Sequence, residues 1–265
     1  MTAKQSSLIW ANRHIGAKGT IIHMHRALRK LELTPSIILT MILLPILCDG
    51  ILWINLPAIT GLWASIFDYW ITNLNLDGDV SYATIKLLRH KILMPYPDLI
   101  AITPQHVTIW LNLIIVLLLF ALSELLPKRW LPFNYLLKAG LIIQLSASLY
   151  FFLSPNHAPH DLGSYLVGVM TFGMYLMFFI PIFLTLVYYI FDISFWRKCI
   201  VTFLTLGYFL IALPFQYMLH AYIISEYSMI FMPVLYVLFG VLLDTLMFVC
   251  WYSWAMSWNG KEYVV

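Results

Sequence analysis

The chain has 265 residues, of which 62% are hydrophobic and 10% charged, with a formal net charge of +3, and its mean hydropathy is +0.86. Soluble domains carry about 25% charged residues. That class is therefore excluded, lipid is the solvent in which every other residue must be read, and no nucleic-acid partner is expected.

Residues 1–34 form a basic leader. Within it Ile21, Met24, Leu28 and Leu31 recur three, four and three apart among basic neighbours. That spacing predicts an amphipathic cytoplasmic helix lying on anionic headgroups, or else a plain basic flank that enforces topology. The first apolar run begins only behind this leader and lacks a small-residue cleavage pattern, so no cleavable signal peptide is expected.

From residue 35 to 258 the composition predicts an all-α membrane domain of about six spans, since about 20 apolar residues cross a bilayer. The spans fall near Ser36–Leu56, Val107–Pro127, Tyr135–Ser154, Tyr165–Phe191, Cys199–Ile224 and Met229–Trp258. The first apolar stretch runs on to Ile71, roughly 55 Å of helix and too long for one crossing. One span is expected there, with an interfacial or bent extension after Pro57 and Gly61 in which Trp63, Asp68, Tyr69 and Trp70 suit the headgroup zone. The loop 72–106 is the longest connection and too small for its own core. It is expected to cover the outer face as a lid or docking surface, with Val80–Met94 forming a short helix around Ile85, Leu88 and Ile92.

Lys and Arg set orientation. Twelve of the fifteen lie in the leader, the second and fourth connections, the start of span three and the tail 259–265. Both termini are therefore expected in the cytoplasm, with a bacterial inner membrane as the expected location. Lys86, Arg89 and Lys91 in the outer loop dissent, nearly balanced by Asp77, Asp79 and Asp98.

Rare polar residues inside the spans are the first candidates for chemistry, because a charge at bilayer centre costs about 2.5–3.5 kcal/mol even on lenient scales. Asp49 lies roughly 20 Å above the start of span one and Asp244 roughly 21 Å from Trp258 at 1.5 Å per residue. Their similar depth suggests a transport pathway or a hydrogen-bonded helix contact. On the outer face His157, His160, Asp161 and His220 bear ligand types suited to a divalent metal, although the spacing matches no zinc signature. Polar loop residues that merely hydrate a turn are the bland alternative.

Glu124 and Lys138 flank one short turn and should pair. Gly140, Gln144 and Ser148 recur every four residues and mark a helix-packing face. Trp251, Trp254 and Trp258 share a face suited to anchoring or packing. Cys48, Cys199 and Cys250 have unrelated spacings and read as buried, inert thiols. Walker, Gly-x-Ser-x-Gly, His-Glu-x-x-His and paired-Cys motifs are all absent from the sequence. Three functions follow: a non-catalytic subunit of a cell-envelope, transport or secretion complex with a membrane-protein partner or a second copy; a small transporter using Asp49 and Asp244; or a membrane enzyme with the outer-face metal.

Overall fold

A computed structural model describes residues 35–87, 89–154, 161–190 and 195–257. The leader with its expected helix, His157, His160, Trp258 and the tail lie outside the described residues. Helices α1 (Pro35–Ile54) and α2 (Leu56–Asn73) are followed by strands β1 (Gly78–Leu87) and β2 (His90–Leu99). Then come α3 (His106–Ser123), α4 (Leu131–Leu153), α5 (Leu162–Ile190) and α6 (Phe195–Glu226). The last segment opens with a 3-10 turn at Met229–Phe231 and an α turn at Met232–Val234. It passes through a π-helix at Leu235–Leu242 and ends in α7 (Leu243–Ser257). Five of these segments are long and apolar enough to cross a membrane, and α1 with α2 makes a sixth, bent by 58°.

The bend in the first span has a local cause. Pro57 supplies no amide hydrogen at the start of α2 and Asn55 sits between the helices, its side-chain nitrogen donating back to the Ile51 carbonyl at 2.8 Å. The extension is bent as expected, yet Trp63 is not a headgroup anchor. Trp63 and Phe67 have no exposed surface, and α2 packs against α6 and the strands. The Trp63 indole nitrogen donates to the Leu210 carbonyl at 2.9 Å. Pro214 sits four residues beyond Leu210 in α6 and has no N–H to offer that carbonyl, so the indole replaces the missing backbone donor.

The expected all-α architecture is corrected by the antiparallel β-hairpin, which occupies the stretch expected to be helical. Ile85, Leu87, Ile92 and Met94 are buried, whereas Thr84, Lys86, Lys91 and Leu93 are exposed. This period of two overrides the helical spacing of Ile85, Leu88 and Ile92. Nor does the hairpin only cover one end of the bundle. Tyr96 near its root touches Gly163 at the start of α5, while the Lys86 carbonyl accepts from the Tyr175 hydroxyl at 3.0 Å. The hairpin thus runs down along α5, packed also on α2.

Antiparallel contacts assemble the remaining helices. Lys138 pairs with Glu124 at 2.7 Å, as expected. On α4, Gly140 lies against Leu238, Gln144 donates to the Ile230 carbonyl at 3.2 Å, and the Ser148 hydroxyl accepts from Asn112 at 2.6 Å. The four-residue repeat is therefore a packing face. Cys48 is buried, but Cys250 is exposed, which corrects the expectation of three buried thiols. Its place on an outward face of α7 makes it one of many surface groups open to lipid.

At Gly173 the neighbouring Tyr217 hydroxyl occupies the space a Cβ would need, and Tyr217 is itself fully buried. Gly173→Ala should lower the unfolding temperature in detergent, since overpacking a tight contact costs typically about 1–3 kcal/mol. Trp63→Phe should cost about 1 kcal/mol by leaving the Leu210 carbonyl without a donor, measured the same way.

Candidate functional site

One face of α6 carries Leu213, Gln216, Tyr217, His220 and Ile224 at helical spacing, and every one except Gln216 is buried. The polar members of this face meet the last segment where its hydrogen-bond ladder is irregular. Gln216 Nε2 donates to the Phe239 carbonyl in the π-helix. The Asp244 carboxyl lies near the Gln216 amide. Asp244, 5% exposed, therefore enters the bundle beside another polar side chain. Tyr208 and the buried Tyr217 lie near it.

One turn along α6, His220 is fully buried. Its Nδ1 lies 3.2 Å from the Tyr165 hydroxyl, which also stands 3.4 Å from the Met232 carbonyl. Tyr165 has one proton to give. If it donates to Met232, Nδ1–H must donate to the tyrosine oxygen; if it donates to Nδ1, the other ring nitrogen carries the hydrogen. That other nitrogen, Nε2, is turned towards the Phe239 carbonyl without reaching hydrogen-bond geometry. The Phe239 carbonyl thus stands between the His220–Tyr165 pair and the Gln216–Asp244 pair. The four side chains make a polar column inside an otherwise apolar bundle.

Above the column opens a cleft of 690 Å³ between α4, α5 and the last segment, lined mainly by apolar and aromatic groups including Tyr150, Phe151, Tyr165, Val169, Met232 and Tyr236. This volume falls within the range of small-molecule sites, which pair an apolar wall with a few convergent polar groups. Tyr165 belongs both to the cleft wall and to the column, so it connects the two.

The residues singled out in the sequence are distributed unevenly over this geometry. Asp244 and His220 belong to the column. Asp49 is elsewhere: it follows Cys48, which packs close to Cys199 and Tyr188, and its Oδ1 is buried without a hydrogen-bond partner. Asp49 and Asp244 therefore have different neighbours. Asp161 caps the start of α5, its carboxylate accepting from the backbone and hydroxyl of Ser164. No group of three or more His, Cys, Asp and Glu suited to a metal occurs among the described residues. Gln216 and Tyr165 escaped the sequence reading. Gln216 lies four residues before His220, and that polar pair on one face of an apolar helix was the available signal.

No family model, curated protein or solved structure matches the chain, so geometry alone carries the functional argument. Gln216→Met removes the donor to Phe239 and the amide beside Asp244 while keeping volume. It should destabilise the protein by about 1–3 kcal/mol, the cost of leaving buried polar groups unpaired, read as a lower melting temperature with unchanged helicity by circular dichroism.

Proposed function

We propose that this integral membrane protein is a proton-coupled carrier for a small amphipathic molecule. The observation that supports this reading is the polar column Tyr165–His220–Gln216–Asp244 beneath the apolar cleft. A polar column costs stability in lipid, and ionisable groups retained in membrane interiors mark ion or proton pathways by default. The cleft takes the apolar body of the substrate, and Tyr165 meets its polar end. Asp244 and His220 can each gain or lose a proton, and His220 is hydrogen-bonded to Tyr165 in a way that a proton would rearrange.

Two features of the fold fit a moving part. The π-helix puts the ladder of the last segment out of register beside the column, and such segments occur disproportionately at functional sites. The first span is discontinuous, as is common where carriers bind substrates and coupling ions. Asp49 plays no part in this scheme. The reading as a non-catalytic complex subunit gains no support from exposed apolar faces such as those of α3, because lipid alone requires them.

Reconstitution into liposomes loaded with a pH-sensitive dye provides the test. With a zwitterionic amphipathic probe such as tryptophan supplied outside, an imposed membrane potential should drive proton movement through the wild-type protein. Asp244→Asn should reduce this flux by about tenfold or more while protein level and melting temperature stay near wild type, because the amide keeps the shape and polarity of the carboxyl but cannot cycle a proton. Undiminished flux in Asp244→Asn, or no flux in the wild type, would remove the proton-coupled reading.

A further inference from the structure

The hairpin poses a separate physical problem. Its tip lies far down the bundle: Tyr175, which holds the Lys86 carbonyl, is thirteen residues beyond Leu162, about 20 Å along α5. On the other strand the His90 ring packs edge-on against Trp53 at 5.0 Å, and Trp53 packs against Phe178 of α5 at 6.2 Å. The buried face of the hairpin is apolar, as the helices require. Its other face exposes Tyr82, Thr84 and Lys86 on β1 and Lys91 on β2, with Arg89 exposed in the turn.

Three cations therefore cluster alongside helices long and apolar enough to cross a membrane. Lys86 and Lys91 are directly opposite each other in the ladder, a pairing of like charges that destabilises a sheet. No carboxylate among the described residues is in ion-pair contact with any of the three. The nearest acids of the hairpin, Asp79 and Asp98, are paired with each other at the root, seven residues and about 23 Å away along the strand. Beside apolar helices of this kind, an unpaired cluster of cations calls for water or an anionic partner.

A second copy of the chain fits poorly. A two-fold axis along the membrane normal keeps both hairpins at one depth, bringing tip to tip and root to root and so adding like charge to like. An anion is required, and the bilayer supplies one at every protein surface. We propose that Lys86, Arg89 and Lys91 form a binding site for the phosphate of an anionic lipid. The phosphate is drawn inward from the headgroup plane along the exposed face of the hairpin. The Thr84 hydroxyl and Tyr82 phenol on that face offer hydrogen bonds to the glycerol or headgroup, and the neighbouring helix surfaces accept the acyl chains. This site lies on the hairpin side of α5 and does not depend on the carrier reading.

Native mass spectrometry of the full chain, purified in mild detergent and offered phosphatidylglycerol or phosphatidylcholine, tests the proposal. The wild type should retain phosphatidylglycerol with about tenfold or greater preference, consistent with the contribution of basic residues to anionic-lipid binding. The preference should vanish in Lys86→Ala/Lys91→Ala and persist in Lys86→Arg/Lys91→Arg. Should the alanine variant fail to fold, Arg89→Ala, in the exposed turn, must still weaken the preference. Equal retention of both lipids, or a preference indifferent to these charges, overturns the proposal. Displacement of the lipid by inorganic phosphate alone would assign the site to a free anion instead, and a copurifying protein lost in the alanine variant would assign it to a protein partner; either result overturns the lipid assignment.

Discussion

In hydrocarbon a main-chain carbonyl or amide has no water to fall back on, and this fold is organised around the places where its helices fail to satisfy their own backbone. At several of them a side chain from another element supplies a donor. Trp63 reaches the Leu210 carbonyl released by Pro214, and Gln216 reaches Phe239 in the π-helix. Gln144 and Tyr165 serve the Ile230 and Met232 carbonyls at the irregular start of the last segment, and Tyr175 serves Lys86 on the hairpin. Each of these bonds joins two elements, so the breaks in local structure also fix how the helices and strands are assembled.

The same arrangement places the candidate site. An unbroken α-helix at Leu235–Leu242 would turn its carbonyls inward along its own ladder and leave Gln216 and His220 facing an apolar wall. The π register instead presents the Phe239 carbonyl to both side chains. Tyr165 then links the column to the cleft because α5 begins close to the Met229–Val234 turns. Function, on this reading, occupies the region where regular structure is weakest and where a rearrangement costs least.

How much of this was readable beforehand depended on sequence distance. Glu124 and Lys138 flank a single turn, and Gly140, Gln144 and Ser148 lie on one helix, so spacing sufficed for both. The hairpin was misread because Ile85, Leu88 and Ile92 satisfy a helical period while Ile85, Leu87, Ile92 and Met94 satisfy a strand period, and a short apolar stretch cannot arbitrate between them. Trp63 resembled an interfacial anchor because its partner, the Leu210 carbonyl, is 147 residues away. Asp49 and Asp244 have similar residue counts from their span ends, but a count along one helix carries no information about which face it turns to which neighbour, and the two acids have different surroundings.

The amino-acid sequence alone determined the apolar character of the chain, the segments long and apolar enough to cross a membrane and the set of polar residues costly enough to need a reason, because hydropathy and helix length are properties of a segment by itself. Only the tertiary structure decided which polar groups meet. It placed Gln216 between Phe239 and Asp244, sent the hairpin down along α5 and separated Asp49 from Asp244. The physical reason is that a carbonyl freed by a proline or a change of helical register finds its donor across the bundle, and that pairing depends on which helices pack together.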